Sequence, residues 1–206
     1  MTVTIAYAQE NDLPAIRKMA IELMPEMTEL HGPVWDHRLG SGRFTVESLL
    51  IVARDPDLPA PIGFAWADAA LLNDEGVLEP WWCLNAIAVR PTHRGTRIGR
   101  KLVEAVRELA GKAGIVSLHG ICDRNLRQWY ESQGFTVLKP GEKAGSDGIV
   151  RRFPPAEGKF SIGDGEGECV FFVDVESVEP RRITRLTPIR QTIVMTGDAS
   201  LREDDN

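Results

Sequence analysis

Cysteine is scarce and scattered in this chain. Cys83, Cys122 and Cys169 are an odd set with no C-x-x-C pair, so neither a disulfide framework nor a zinc site is indicated, and no metal is expected. Long apolar runs are missing as well: nothing approaches the roughly 20 consecutive apolar residues that span a bilayer. The opening Met1-Thr2-Val3-Thr4-Ile5-Ala6 has neither the basic region nor the apolar segment of a secretory leader. A cytoplasmic protein without a membrane partner is the expectation. Positive charge is in deficit, with 24 Lys and Arg against 30 Asp and Glu and a net charge of -6, which disfavours general nucleic-acid binding. Basic clusters at Arg151-Arg152 and at Arg181, Arg182, Arg185 and Arg190 keep a nucleic-acid association only as the least favoured reading. No internal repeat is apparent.

What is there suits one well-cored domain: 206 residues, 43% hydrophobic and 26% charged. The expected division is a single domain over residues 1–180, with a Gly/Pro-rich excursion at 139–167, and then a basic-to-acidic extension over 181–206 whose end is expected to be disordered. Val3 to Ala8 reads as a strand. Leu13, Ile16, Met19, Ala20 and Leu23 form the stripe of a helix capped by Asn11 or Asp12, with Pro14 near its start. Glu26 to Arg43 reads as a second short helix or a loop. Leu49–Ala53 and Ile62–Ala67 read as a hairpin, and Asn73-Asp74-Glu75-Gly76 as the turn before a central strand beginning near Trp81 and closed by Arg90-Pro91. Ile115–Ile121 and Phe135–Leu138 read as further strands, the latter paired with an apolar Cys169–Val175. Gly163-Asp164-Gly165-Glu166-Gly167 mimics a phosphate loop, but its two acids would repel phosphate, and it reads as a tight turn.

The most informative stretch is Thr92 to Gly114. A basic turn, Arg94-Gly95-Thr96-Arg97-Ile98-Gly99, runs directly into a helix whose apolar positions, Ile98, Leu102, Ala105, Val106, Leu109 and Ala113, recur at three- and four-residue steps. The first turn of a helix leaves N–H groups unpaired at the positive end of its dipole, and Arg94 and Arg97 add full charges there. The layout is that of an anion site, suited to phosphate. Further on, Asn125-Leu126-Arg127-Gln128-Trp129-Tyr130-Glu131-Ser132-Gln133-Gly134-Phe135 forms a second landmark, a helix starting near Arg124 and stopped by Gly134.

Leu84 to Gly114 resembles the acetyl-CoA motif of the GNAT family of N-acetyltransferases, whose turn reads Gln/Arg-x-x-Gly-x-Gly/Ala; Arg94, Ile98 and Gly99 fit, and Arg97 stands where glycine is usual. The second landmark is similar to the family's later helix and its aromatic-Tyr-Glu-x-x-Gly-Phe ending. The resemblance implies an α/β (α+β) fold: a mixed, mostly antiparallel central sheet with helices on both faces. It implies acetyl-CoA as co-substrate. The pantetheine arm would pair with the backbone of Ile87, Ala88 and Val89, and the pyrophosphate would be wrapped by Arg94, Gly95, Thr96, Arg97, Ile98 and Gly99. Asn125 would approach the arm and cap its helix, and Tyr130 would lie by the sulfur.

Amine acetylation needs a held thioester, an uncharged amine, stabilisation of the oxyanion and a proton for the leaving thiolate. Tyr130 is the candidate acid. The proton acceptor is less determined. Some family members carry a glutamate early on the central strand, but the corresponding residue here is Cys83, with Asn85 on the same face. Glu79 is put forward instead, with Glu75, Asp74 and His119 as alternatives acting through water. Cys83 as an acyl-carrying nucleophile is a minor alternative. The leading expectation is acetyl transfer to a primary amine, on a small molecule or a protein, by direct attack in a ternary complex. The rival is a non-catalytic acyl-CoA-binding protein of the same fold acting through a partner. A homodimer is left open.

Overall fold

The structure, a computed structural model, describes residues 2–25, 38–41, 44–74, 77–140 and 167–175, without the side chains of 38–47 and 70–79. Most of the expected excursion and the whole C-terminal extension lie outside the described residues, as does Glu75.

Seven strands form the main sheet in the order β1-β4-β5-β6-β7-β9-β8: β1 Thr4–Tyr7, β4 Leu49–Arg54, β5 Gly63–Asp74, β6 Val77–Val89, β7 Ser117–Asp123, β9 Glu168–Asp174 and β8 Thr136–Val137. Every neighbouring pair is antiparallel except β6 and β7. The expected pairing of the Phe135 segment with the Cys169 segment is present. Because β9 carries both ladders, it lies between β7 and β8. Two short strands, β2 Arg38–Ser41 and β3 Phe44–Glu47, make a separate hairpin. The helix or loop expected from Glu26 to Arg43 is therefore corrected at its end, since four-residue strands are too short for alternation to reveal them. β5 and β6 also run longer than their apolar cores suggest, meeting across Asp74 and Val77; backbone pairing extends a ladder whatever the side chains are.

Helices cover both faces, as expected. On one face α1, Leu13–Leu23, buries Ile16, Met19 and Ala20 against Val52, Phe64, Trp66, Ala86 and Ala88. Its entry is braced by Asp12, whose carboxylate accepts the Gln9 N–H at 2.7 Å and pairs with Arg54. On the other face α2, Ile98–Ala113, packs Ile98, Leu102, Val103, Val106 and Ala110 onto Leu49, Ile51, Ala65, Leu84 and Leu118. Its buried stripe is turned slightly from the expected one: Ala105 and Leu109 are half-buried and Ala113 exposed. Gly114 ends the helix with a left-handed φ of 72°, while Gly111, also read as a stop, is buried within it. The short α3, Arg127–Ser132, closes this face through Tyr130.

The feature that positions the site is a fault in β6. Leu84 faces Ala67 and Ala86 faces Trp66, so Asn85 is one residue too many, a β-bulge. Before it, Trp82 and Leu84 face α2; after it, Ala86 and Ala88 face α1 and Ile87 and Val89 take over the α2 side. A bulge bends its strand, and β6 pairs with β7 only through Trp81, Trp82 and Cys83. Past Cys83 the two strands part, opening a cleft in the middle of the sheet.

Candidate active site

The cleft has a volume of about 760 Å³. One wall is the end of β6, with Ile87, Ala88 and Val89, and facing it come Leu126, Trp129, Tyr130 and Gln133 from α3 and the turns that flank it. Leu23 and Met24 at the end of α1 complete the apolar lining. The mouth is basic and glycine-containing: His93, Arg94, Gly95, Arg97, Gly99 and Arg100.

Backbone polarity along the β6 wall follows from register. The Arg90 N–H donates to the Ile62 carbonyl at 2.9 Å, and bonded pairs alternate along an antiparallel ladder. Ala88 and Ala86 therefore exchange hydrogen bonds with Phe64 and Trp66. Ile87 and Val89 turn their N–H and C=O groups the other way, into the opening. The Val89 carbonyl accepts the Nε–H of Arg94 at 3.2 Å, which ties the basic turn to the strand end.

The turn departs from the resemblance at one position, where glycine is usual. Arg97 stands there without a glycine's freedom, yet it has φ 64° and ψ 15°, the left-handed conformation, and is the only described non-glycine residue with positive φ. That conformation explains why glycine suits the position. Gly95 is also left-handed, at φ 78°, with open space where a Cβ would be. Gly99 lies inside the first turn of α2, where a Cβ would stand 3.2 Å from Trp129 Cζ2. Thr96 is exposed and donates through its hydroxyl to the His93 carbonyl, so it braces the turn. Among the described residues no carboxylate is paired with Arg94 or Arg97, whereas Arg100 pairs with Glu104 at 2.8 Å.

Tyr130 is buried at the inner end of the cleft. Its ring stacks on Phe171 with centroids 4.0 Å apart and meets Trp129 and Phe135 edge-on. Burial pushes its phenol well above the ordinary value, with a smaller contribution from the neighbouring Cys122, so the hydroxyl keeps its proton. Asn125 is exposed and does not cap: Asp123 does, accepting the Asn125 N–H at 2.7 Å, and Leu126 rather than Asn125 lines the cleft.

The other sequence candidates are dispersed. Glu79 belongs to β6 opposite Leu72, four residues or about 13 Å of extended strand before Cys83 and about twice that from Ile87, so the backbone carries it away from the opening. Its side chain and that of Asp74 lie outside the described residues. His119, across the ladder from Cys83 and against Trp81 at 5.6 Å, is buried, and desolvation pushes its pKa down to about 4. Burial, with the Asp68 charge beside it, pushes the Cys83 thiol up to about 12, the opposite of what a nucleophilic thiolate needs. It donates to Asn85 Oδ1 at 3.0 Å. Sequence reasoning missed His93, Arg100 and the Leu23-Met24 wall, which line the cleft.

Residues 47–137 match the model of the acetyltransferase (GNAT) domain. Among curated proteins no sequence match is found. Several solved structures share the fold. NAA60 of Arabidopsis thaliana, in complex with a bisubstrate analogue, superposes with a TM-score of 0.58 at 13% identity, over 85% of this chain and 99% of that one. The ribosomal-protein-S18-alanine N-acetyltransferase of Escherichia coli gives 0.53 at 16% identity, over 86% and 97%. An aminoglycoside 6'-N-acetyltransferase complexed with coenzyme A gives 0.54 at 13% identity, over 83% and 96%. Among the described residues no helix is long and apolar enough to cross a membrane.

Proposed function

We propose that this chain, whose residues 47–137 match the model of the acetyltransferase (GNAT) domain, binds acetyl-CoA in the β6–β7 cleft and transfers the acetyl group to a primary amine by direct attack in a ternary complex. The observation that carries the reading is the cleft itself, with inward-facing backbone at Ile87 and Val89, a basic mouth and a protonated phenol at its inner end. An extended amide-bearing arm can pair with the free edge of β6 as a further strand would. A diphosphate at the mouth meets the first N–H groups of α2 and the guanidinium groups of Arg94 and Arg97. Gly95, with no Cβ, lets such a group approach the backbone. The donor class seen with the fold neighbours, a bisubstrate analogue in one and coenzyme A in another, agrees with this use.

In the reaction the chain's own residues orient, exclude water and move one proton. The apolar wall of Leu23, Met24, Leu126 and Trp129 shields the inner cleft from solvent. Tyr130 holds a proton at its hydroxyl for the departing sulfur; burial keeps that proton in place at rest, and the same desolvation raises the basicity of the thiolate that receives it. The amine nitrogen's lone pair forms the new carbon–nitrogen bond at the acetyl carbonyl, the carbon–sulfur bond breaks as the carbonyl re-forms, the sulfur takes the Tyr130 proton, and the proton shed by nitrogen passes to solvent, from which the phenolate is reprotonated. The test is a calorimetric titration with acetyl-CoA followed by thiol-release assays across a panel of amines. Binding with turnover on at least one amine is expected. Binding without turnover on any of them would instead favour an acyl-CoA-binding protein acting through a partner, and absence of binding would remove both readings.

A further inference from the structure

The apolar spacing of α2 puts Arg107 on its polar face with Lys101, Glu104, Glu108 and Lys112, yet Arg107 is half-buried where those four are exposed. Its guanidinium reaches across to α3. Nη1 donates to the Gln133 carbonyl at 2.7 Å, and the guanidinium carbon lies 5.5 Å from the centre of the Phe135 ring, within the range of a cation–π contact. The turn held in this way is the one that sets Tyr130. The Gly134 N–H donates to the Glu131 carbonyl at 2.9 Å and the Phe135 N–H to the Tyr130 carbonyl at 3.2 Å, the paired bonds of a helix stop built on a left-handed glycine, and Gly134 has φ 81°. The apolar contact that accompanies such a stop is here Phe135 against Tyr130, with centroids 5.6 Å apart. The Gln133 carbonyl takes no part in that pattern, and Arg107 supplies its donor.

Resting on the acetyltransferase reading above and on the role given there to Tyr130, we infer that Arg107 is a positioning residue for the reaction: its bond to the Gln133 carbonyl clamps the turn that sets where Tyr130 stands in the cleft. α3 has only six residues, too few to hold a helix by its own hydrogen bonds, so its place depends on what grips it. It is tied to α2 by Trp129 against Gly99 and, about 12 Å farther along α2, by the Arg107 bond. The helix that begins at the basic turn thus also fixes the far end of α3. A proton donor must stay within hydrogen-bond reach of the group it serves, and a misplacement of about 1 Å is enough to cost large factors in rate. Arg107 does not line the cleft; it acts through Gln133 and Phe135.

The test is made in a Tyr7→Phe background, which leaves Tyr130 as the only tyrosine of the chain, and compares Arg107→Met with Arg107→Lys. Methionine keeps an unbranched stem to pack on Phe135 but has no donor, whereas lysine keeps a donor and a positive charge. For each protein kcat, KM and acetyl-CoA affinity are measured, and ionisation of Tyr130 is followed by the near-ultraviolet absorbance of the phenolate. Arg107→Met is expected to lower kcat about tenfold or more, with KM for acetyl-CoA and its affinity within about threefold. Tyr130 should then ionise at a pH lower by about one unit, because a loosened α3 admits water to the phenol. Arg107→Lys should return kcat to within about threefold of the background and the ionisation to its place. Unchanged kcat and ionisation in Arg107→Met would overturn the inference by showing that packing alone holds α3. Equal impairment in both variants would overturn it too, since the loss would then not follow the donor. If the background protein turns over no amine, the acetyl-transfer reading falls, and the Tyr130 ionisation still decides this inference: a shift in Arg107→Met that Arg107→Lys reverses upholds it, and no shift removes it.

Discussion

Arg97 holds a backbone conformation that costs an L-residue on the order of 1 kcal/mol or more, in a turn where it also contributes a charge to the cleft mouth. The two effects separate on substitution. Arg97→Gly should raise stability by up to about 1 kcal/mol, reduced by the extra freedom glycine brings to the unfolded chain, and should weaken acetyl-CoA binding modestly while flattening its salt dependence. Paired thermal melts and titrations at two salt concentrations check both halves; tenfold tighter binding would mean that the side chain obstructs the cleft. Tyr130→Phe should keep the fold, because the ring contacts with Phe171, Phe135 and Trp129 survive, and should lower kcat by about ten- to a thousandfold with little change in acetyl-CoA affinity. An unchanged kcat across acceptors would remove the hydroxyl from the reaction. At this scale the sequence made residue identities legible, namely the basic turn and the Tyr130 landmark, because motif spacing survives translation into structure. It did not reveal the left-handed backbone of Arg97 or the contacts of Arg107, since both are imposed by neighbours distant in the chain.

Among the elements, β6 and β7 decide the site, and their divergence rests on a bulge in one strand and a glycine in the other, both at the C-terminal end of their contact. A Cβ on Gly120 of β7 would stand 2.6 Å from the Leu84 carbonyl oxygen and would also strike the Phe171 ring. The absence of a side chain there lets β7 pass close to β6 just before the strands part, and leaves room for the ring on which Tyr130 stacks. Gly120→Ala should cost roughly 1–3 kcal/mol by overpacking. It should also lower kcat, because Phe171 must move and the Tyr130 ring rests on it. Denaturant unfolding together with kcat measures the coupling; loss of stability with kcat intact would show that Tyr130 is positioned independently of Phe171. Helices α1 and α2 were readable because their apolar residues recur with the helical period, α3 because of its Trp129-Tyr130 landmark and Gly134 stop, and the β4–β5 hairpin because two apolar runs flank a proline-rich turn. The bulge at Asn85 was not, since one surplus residue is defined only against the partner strand, and neither was β9 between β7 and β8, whose place depends on pairing across a long intervening segment.

For the molecule as a whole, the layout of a mixed sheet with helices on both faces was legible, because the order of strands and helices along the chain constrains how they can stack. The balance of buried titratable groups was not, since burial belongs to the assembled fold, and it sets how stability responds to pH. Desolvation lowers the pKa of His119 to about 4 from an ordinary 6.5. Between those values the unfolded chain binds a proton that the native state refuses, so stability present above pH 6.5 is lost as pH falls toward 4, at up to about 1.4 kcal/mol per pH unit. At the other end burial pushes the Cys122 thiol up to about 12 from 9.0 and raises Tyr130 from 10.0. Above about pH 9 the unfolded chain releases these protons first, the native state binds more, and stability falls as pH rises. The native state should thus be most stable between about pH 6.5 and 9, with two limbs of separate origin. His119→Phe, which keeps an aromatic ring beside Trp81, should flatten the acid limb and leave the alkaline one, whereas Cys122→Ser should shallow only the alkaline limb. Denaturant melts across pH 4 to 11 on the three proteins separate the contributions, and an acid limb that survives intact in His119→Phe would assign it to carboxylates instead.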